Sequence, residues 1–531
     1  MSDSPDPAVT PAEARYRLPR PPSAALRAGL AVAAGAALAA AFAPLNLWPL
    51  AVLCPAVLMW LWQDATAREA ARLGFCFNSA LFAAGTYWLY VSIHIFGGAP
   101  VWLAVMLMLG LVAVMGLYHA ALGYAVARWL PRTGAVRWLA ALPASWLLIE
   151  WWRGWFLSGF SWLSLGYSQT DTWLAGLAPV AGVYGISALL LVSAGALVAL
   201  ACGTGRVRIL AGILLAVPWA LGAALHGHSW TQPAGAPVSV AVVQGAIPQD
   251  EKWLESNHDT TLNLYQTLTE KALGTQLIVW PESAPAAIAN DLVPYISHLY
   301  SEAHAHGSAL VLGVLRAQGD AVDDAATRYF NSVLALDEQV SWYDKHHLVP
   351  FAEFFPVPRA VRSWLRLMSL PYSDFTPGAA VQPPLPAAHL QLGATVCYED
   401  AYGSSMLEVL PAADALINVT NDAWFGHSSA RHQHFQIARM RALEDGRYLV
   451  RAANDGISAV IGPHGEVIAR APEFRPLVLV SRIVPLRGLP PYAYVGNWLV
   501  VSLAALALAY GLWVRNDRGR RTRTGQVEVS P

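Results

Sequence analysis

The chain has 531 residues, 55% of them hydrophobic and only 13% charged, where soluble domains carry about 25% charged residues. Its length points to more than one domain, and its composition excludes a disordered, collagen-like or wholly soluble protein. Lys+Arg number 34 against 35 Asp+Glu, so no whole-chain charge favours nucleic acid as a partner.

Apolar runs near 20 residues long read as membrane spans, because about 20 residues at 1.5 Å rise cross the hydrocarbon core. Seven precede residue 230, at about 25–43, 45–62, 73–93, 100–129, 135–152, 174–202 and 207–226, and an eighth runs over 496–514. The expected organisation is a tail over 1–24, a seven-helix membrane domain over 25–230 and a soluble domain over 235–490. The final span at 496–514 then leads to a basic tail over 515–531. Basic residues alternate between loops. Arg15, Arg17, Arg20 and Arg27 lie at the N-terminus, Arg68 and Arg72 in the second loop, and Arg128, Arg132 and Arg137 in the fourth. Arg206 and Arg208 precede the seventh span, and Arg515, Arg518, Arg520, Arg521 and Arg523 follow the eighth. The positive-inside rule then puts both termini in the cytoplasm and the soluble domain across the membrane, in the periplasm of a bacterium. No cleavable signal is expected. Between spans five and six, Glu150, Trp151, Trp152, Arg153, Trp155, Phe160, Trp162 and Tyr167 crowd together. They read either as an aromatic belt or as a surface facing lipid or a partner.

From residue 235 onward, short β-branched runs alternate with helical patterns, the signature of layered α/β structure. Strands are expected at 239–244, 276–280, 309–315, 331–336, 394–398, 415–419, 448–453, 458–462 and 477–481, and helices at 257–273, 289–306 and 430–446. There is no phosphate-binding glycine loop and no HExxH-type spacing, so neither a nucleotide, a metal nor another cofactor is expected.

Three segments at strand ends carry reactive groups: Trp280-Pro281-Glu282-Ser283, Tyr343 to Glu353, and Cys397-Tyr398-Glu399-Asp400. A carboxylate, an ammonium and a thiol are the parts of nucleophilic acyl transfer: base, oxyanion stabiliser and nucleophile. Cys54, Cys76 and Cys202 fall in apolar runs, leaving Cys397 as the soluble domain's one thiol. The chain has three lysines, Lys252, Lys271 and Lys345, against thirty-one arginines. So strong a bias suggests that lysine is kept where a compact ammonium is required. Taken singly, such residues are more often a surface Glu, a solvated Lys and a packed Cys; the case rests on their joint occurrence.

WPES, YDKHHLVPFAEFFP and CYED resemble the Glu-Lys-Cys motifs of the nitrilase superfamily, and the flanking spans narrow the resemblance to the apolipoprotein N-acyltransferase family. Val243-Gln244-Gly245, Thr420 to Gly426 and Val450 to Gly456 extend it. Ala352 and Ser161 depart from the family pattern, which has Gly and Pro there. The resemblance implies an αββα sandwich beneath about eight spans, with Cys397 as nucleophile, Glu282 as general base and Lys345 as oxyanion stabiliser. Glu353 and Glu399 fall at accessory acidic positions, and Tyr398 and Trp253 at pocket positions. The neighbouring ammonium is expected to favour the Cys397 thiolate. The implied reaction takes a fatty acyl group from a phospholipid through a thioester to the N-terminal amine of an S-diacylglyceryl cysteine, the last step of lipoprotein maturation.

Phe354–Pro377 mixes Phe355, Trp364, Leu365, Leu367 and Met368 with Arg359, Arg362 and Arg366, which suits an interfacial lid or a loop packed on the domain's own core. Two rival functions use the same sequence features. One is a membrane-tethered amidase in which water replaces the amine. The other is a transporter or receptor with an inactive sensor domain, which requires charges within the spans.

Overall fold

The computed structural model describes residues 23–319, 327–350, 352–354 and 375–524. Apart from Phe354 and residues 375–377, the expected lid segment lies outside them, as do residues 1–22 of the first tail and 525–531 of the second.

The membrane-type helices are α1 (Ala24–Leu38), α2 (Leu50–Leu61), α3 (Ala67–Gly85), α4 (Val101–Trp129), α5 (Leu142–Arg153), α6 (Ala178–Cys202) and α7 (Arg206–Leu225). Among the described residues five helices are long and apolar enough to cross a bilayer, at Ala24–Ala41, Val101–Trp129, Trp173–Cys202, Arg206–Leu225 and Trp498–Asp517. A sixth arises if α3 and Trp88–Phe96, bent by 53°, are one span. The expected count of eight single spans is therefore not reproduced. Two apolar runs fold as shorter elements. Run 45–62 yields the 12-residue α2, with Pro55 inside it and most of its residues buried in protein. Run 135–152 yields a π-helical turn, Arg137–Ala141, leading into the 12-residue α5. Burial against other helices and burial in lipid leave the same apolar signature, which is why composition cannot separate them.

The soluble part is a two-sheet sandwich. Strands β1 (Val238–Gln244), β2 (Leu277–Val279), β3 (Ala309–Gln318), β4 (Arg328–Leu336) and β5 (Val340–Asp344) form one sheet. Strands β6 (Leu385–Ala387), β7 (Leu390–Val396), β8 (Ala415–Thr420), β9 (Leu449–Ala453), β10 (Ala459–Ile461) and β11 (Val467–Arg470) form the other, and β12 (Leu477–Ile483) returns to the first. The orders are β12-β1-β2-β3-β4-β5 and β11-β10-β9-β8-β7-β6. At the centres β1, β2 and β3 are parallel, as are β7, β8 and β9. Alternation sets the layers: Val240, Val242, Val279 and Val311 face Leu392, Val396, Ile417 and Val450 between the sheets. Ala241, Val243, Ile278 and Leu310 face the helices α8 (His258–Glu270) and α9 (Val293–Ala305).

Helix α10 (Ala430–Asp445) covers the second sheet through Phe435, Ala438 and Ala442. Its remaining faces are also buried despite their polarity, because the membrane helices lie against them. Gln433 accepts hydrogen bonds from the indoles of Trp162 (2.7 Å) and Trp88 (3.3 Å) and donates to Gly85 O (3.2 Å). Glu444 accepts from the Val183 amide, freed by a break in α6 at Gly182, where φ is 66°. A Cβ at Gly182 would stand 2.4 Å from the Tyr492 ring, so only glycine fits. The closing helix is α11 (Trp498–Thr524).

Candidate active site

Each reactive group sits where a strand ends. β7 stops at Val396, and Cys397 opens a 3₁₀ turn, Cys397–Ala401, at φ 54°. A side-chain-bearing residue in the left-handed region is strained and must be held by its surroundings. Asn418 Nδ2 donates to Cys397 O at 2.9 Å, and Val396 N donates to Glu399 Oε2 at 2.8 Å. Glu399 also accepts from the amides of His346 (2.8 Å) and His347 (2.9 Å) and from the Tyr343 hydroxyl (3.0 Å). This one carboxylate thus ties the lysine-bearing segment to the cysteine turn. Burial raises its pKa above the usual carboxylate range, while those amides and Lys345 lower it.

Glu282 follows β2, and Ser283 after it has φ 47°. Gly313 on β3 makes room for this turn: a Cβ there would lie 2.2 Å from Pro281 O. Asn331 Nδ2 bridges two carboxylates, donating to Glu282 Oε1 at 2.7 Å and to Glu353 Oε1 at 2.9 Å. Asn421 N donates to Glu282 Oε2 at 2.9 Å. Lys345 Nζ lies 2.9 Å from Glu353 Oε2, 3.7 Å from Glu282 Oε1 and 5.7 Å from the centre of the Tyr398 ring. Burial alone would lower the pKa of the Lys345 ammonium. Glu353, then Glu282, outweigh burial and hold it well above its usual range. Lys345 is therefore held in its charged form.

The thiol departs from the expectation for it. Burial, followed by Glu282, raises Cys397 far above the ordinary thiol range, against the lowering effects of Lys345 and a hydrogen bond with Thr420. Lys345 does favour the thiolate, as expected, but burial of the sulfur outweighs it. Cys397 therefore rests as a thiol, with Glu282 the nearby carboxylate acting on it most strongly.

Behind the turn lies a closed charged network. His434 Nδ1 contacts Asp422 Oδ1 at 2.8 Å and its Nε2 contacts Asp400 Oδ1 at 3.2 Å. Arg451 pairs with Asp422 at 2.9 Å and donates to Asn418 Oδ1 at 2.6 Å. Burial and Arg451 lower His434, but Asp400 and Asp422 prevail and hold it at about 9, so it braces the turn as an imidazolium at neutral pH.

Glu282, Lys345 and Glu353 thus converge beside Cys397, and Glu399 lies beneath them. Tyr398 lies over Lys345, with its hydroxyl donating to Leu348 O at 2.8 Å. Trp253 stands apart, 51% exposed at the rim. Asn331 and Asn421, which hold the carboxylates, are not among the site residues that the sequence motifs mark. An Asn inside an otherwise apolar strand, as at 331, was the available signal. Among the described residues no cluster suited to a metal ion is found.

Comparison with known proteins matches residues 34–196 to the family "Apolipoprotein N-acyltransferase N-terminal domain" and residues 239–485 to "Carbon-nitrogen hydrolase". The chain is 40% identical over 500 residues to an apolipoprotein N-acyltransferase of Azotobacter vinelandii, covering 93% of this chain and 96% of that one. It is likewise 40% identical over 505 residues to one of Methylococcus capsulatus, covering 94% and 99%. A crystal structure of a carbon-nitrogen hydrolase from Helicobacter pylori is similar at 18% identity and a TM-score of 0.35, over 47% of this chain and 89% of that one.

Proposed function

Because this chain belongs to the apolipoprotein N-acyltransferase family, we propose that Cys397 carries a fatty acyl group as a thioester between two membrane-held substrates. The protein is a membrane-associated N-acyltransferase of the nitrilase superfamily that acts on lipoproteins. In the first half-reaction Glu282 takes the Cys397 proton as sulfur attacks an ester carbonyl of a phospholipid. Lys345 faces the developing oxyanion. The intermediate collapses to the thioester, and the leaving alkoxide takes the proton from Glu282 to depart as lysophospholipid. In the second half-reaction the neutral α-amine of the diacylated cysteine attacks the thioester and loses a proton to Glu282. The new amide departs, and the proton returns to sulfur. Glu353 holds Lys345, Glu399 holds the cysteine turn, and Tyr398 and Trp253 border the acyl path.

The observation that carries this reading is the buried cluster of Glu282, Lys345 and Glu353 beside a left-handed cysteine. Relatives named as N-acyltransferases along 91–94% of the chain do not favour the amidase alternative. Acyl chains explain the membrane setting: each buried CH₂ is worth about 0.8 kcal/mol, so a site at the bilayer surface avoids extracting either substrate. The test is product balance. Purified protein with phospholipid vesicles and a diacylated lipopeptide should release one lysophospholipid per amide formed, with parallel double-reciprocal lines. Fatty acid released to water in place of amide would refute it.

The orientation proposed is both termini cytoplasmic and the catalytic domain periplasmic, in a bacterial inner membrane. It requires seven crossings before β1, so α2 and the joined Arg137–Ala141 and α5 segments must cross as well. At 1.5 Å per residue that second segment reaches about 25 Å, short but sufficient with local thinning. In intact spheroplasts an impermeant thiol reagent should label Ser256→Cys above the wild-type background and should not label Arg208→Cys until lysis. The reverse pattern would discard this orientation.

A further inference from the structure

Lys252, one of the chain's three lysines, has no part in the scheme above. It closes the helical turn Gln249–Lys252 and is 2% exposed, while its neighbour Trp253 is 51% exposed. Its ammonium donates to the main-chain carbonyl of Glu282 at 3.1 Å. That carbonyl belongs to the peptide entering Ser283 at φ 47°, so the contact falls on the strained turn that aims the Glu282 carboxylate. The turn bearing Lys252 is itself clamped to the site. Asn421 Nδ2 donates to Gln249 Oε1 at 2.8 Å, Asn454 Nδ2 donates to Ile247 O at 2.7 Å and to Asn421 Oδ1 at 3.1 Å, and Asn421 N holds Glu282 Oε2 at 2.9 Å.

We propose that Lys252 is a positioning residue for the acyl transfer: it fixes the main chain of Glu282 and supplies a second positive charge facing the Glu282 carboxylate. This rests on Glu282 being the general base. A buried lysine bonded to a single carbonyl is a costly way to brace a loop, since an amide side chain or a water would satisfy that oxygen without desolvating a charge. The charge therefore has its own use. The ionisable groups that face it are Glu282 on the turn after β2 and Asp455 on the turn after β9, and Asp455 in turn faces Asp422 and Arg431. Burial lowers Lys252 to about 8, with Glu282 and Asp455 opposing, so it is charged across the acidic range in which a carboxylate base titrates. A nearby cation favours a carboxylate's charged form, so removing it should move the acidic limb of the rate to higher pH.

The experiment measures the Cys397 acylation rate against pH in the full-length protein in phospholipid micelles, with melting temperature recorded alongside. Lys252→Met should slow acylation by about 10–100-fold and move the acidic limb up by about half a unit to one unit, with donor KM changed less than about threefold. Lys252→Gln keeps a donor for the carbonyl and should recover part of the rate while leaving the limb displaced. Lys252→Arg keeps the charge and should leave the limb in place. A Lys252→Met enzyme with the wild-type rate and limb overturns the proposal. So does a rate that falls only with the folded fraction while the limb stays fixed. Glu282→Gln is the control: if it stays active, the general-base reading fails; if it is inactive while Lys252→Met is normal, only the role of Lys252 fails.

Discussion

Cys397→Ala is expected to fold normally and transfer no acyl group. The substitution removes one partly buried sulfur atom from a turn at φ 54° that alanine adopts at a similar cost, so the fold should lose no more than about 1 kcal/mol. The chemistry loses its covalent route entirely. Removing the nucleophile of a coupled constellation typically costs about 10⁴–10⁶-fold, because base and oxyanion stabiliser then have nothing to act on. Cys397→Ser should be nearly as poor, since a hydroxyl in a site that already disfavours the thiolate is harder still to ionise. Turnover of lipopeptide by protein of wild-type melting temperature is the measurement. Activity above about one per cent in Cys397→Ala would remove the covalent account.

Lys345→Met should be damaging in two ways at once. Its ammonium is 1% exposed between Glu353 at 2.9 Å and Glu282 at 3.7 Å. Without it, two carboxylates sharing one Asn331 donor face each other with no cation between them. Breaking a buried pair costs about 3–5 kcal/mol, partly relieved here if one carboxyl takes up a proton. Loss of the oxyanion's cation costs a further factor of about 10²–10³, and protonation of Glu282 would remove the base as well. The expected result is a lower melting temperature together with an acylation rate reduced by at least about 10³-fold. Lys345→Arg should not restore it, because a planar guanidinium cannot replace a point charge between two carboxylates. Folded Lys345→Met with near-normal acylation would contradict the assignment.

Much of the sandwich was legible because its strands are buried on both faces and read as β-branched runs. Val238–Gln244, Ala415–Thr420 and Leu449–Ala453 match the expected strands to within a residue or two. Strands at the periphery were not legible: Val340–Asp344 is half exposed and polar, and Leu385–Ala387 is three residues long. The strand expected over 394–398 stops at Val396, because the cysteine turn needs a left-handed residue that no propensity encodes. Helix α10 was expected, but its burial was not, since contacts such as Gln433 with Trp162 join residues 271 apart in sequence. The motifs marked Glu282, Lys345 and Cys397 without disclosing what holds them. The contacts of Asn331 with two carboxylates, of the Asn421 amide with Glu282 and of Lys252 with the Glu282 carbonyl join residues 22–139 apart in sequence, which a linear pattern does not carry.

The most direct test is the mass of the Cys397 peptide after the wild-type protein meets phospholipid with no acceptor present. The predicted result is a fatty acyl group on that sulfur, released by hydroxylamine and discharged as an amide when a diacylated lipopeptide is added. An unmodified Cys397 during active turnover, or an acyl group that leaves only to water, would contradict the account.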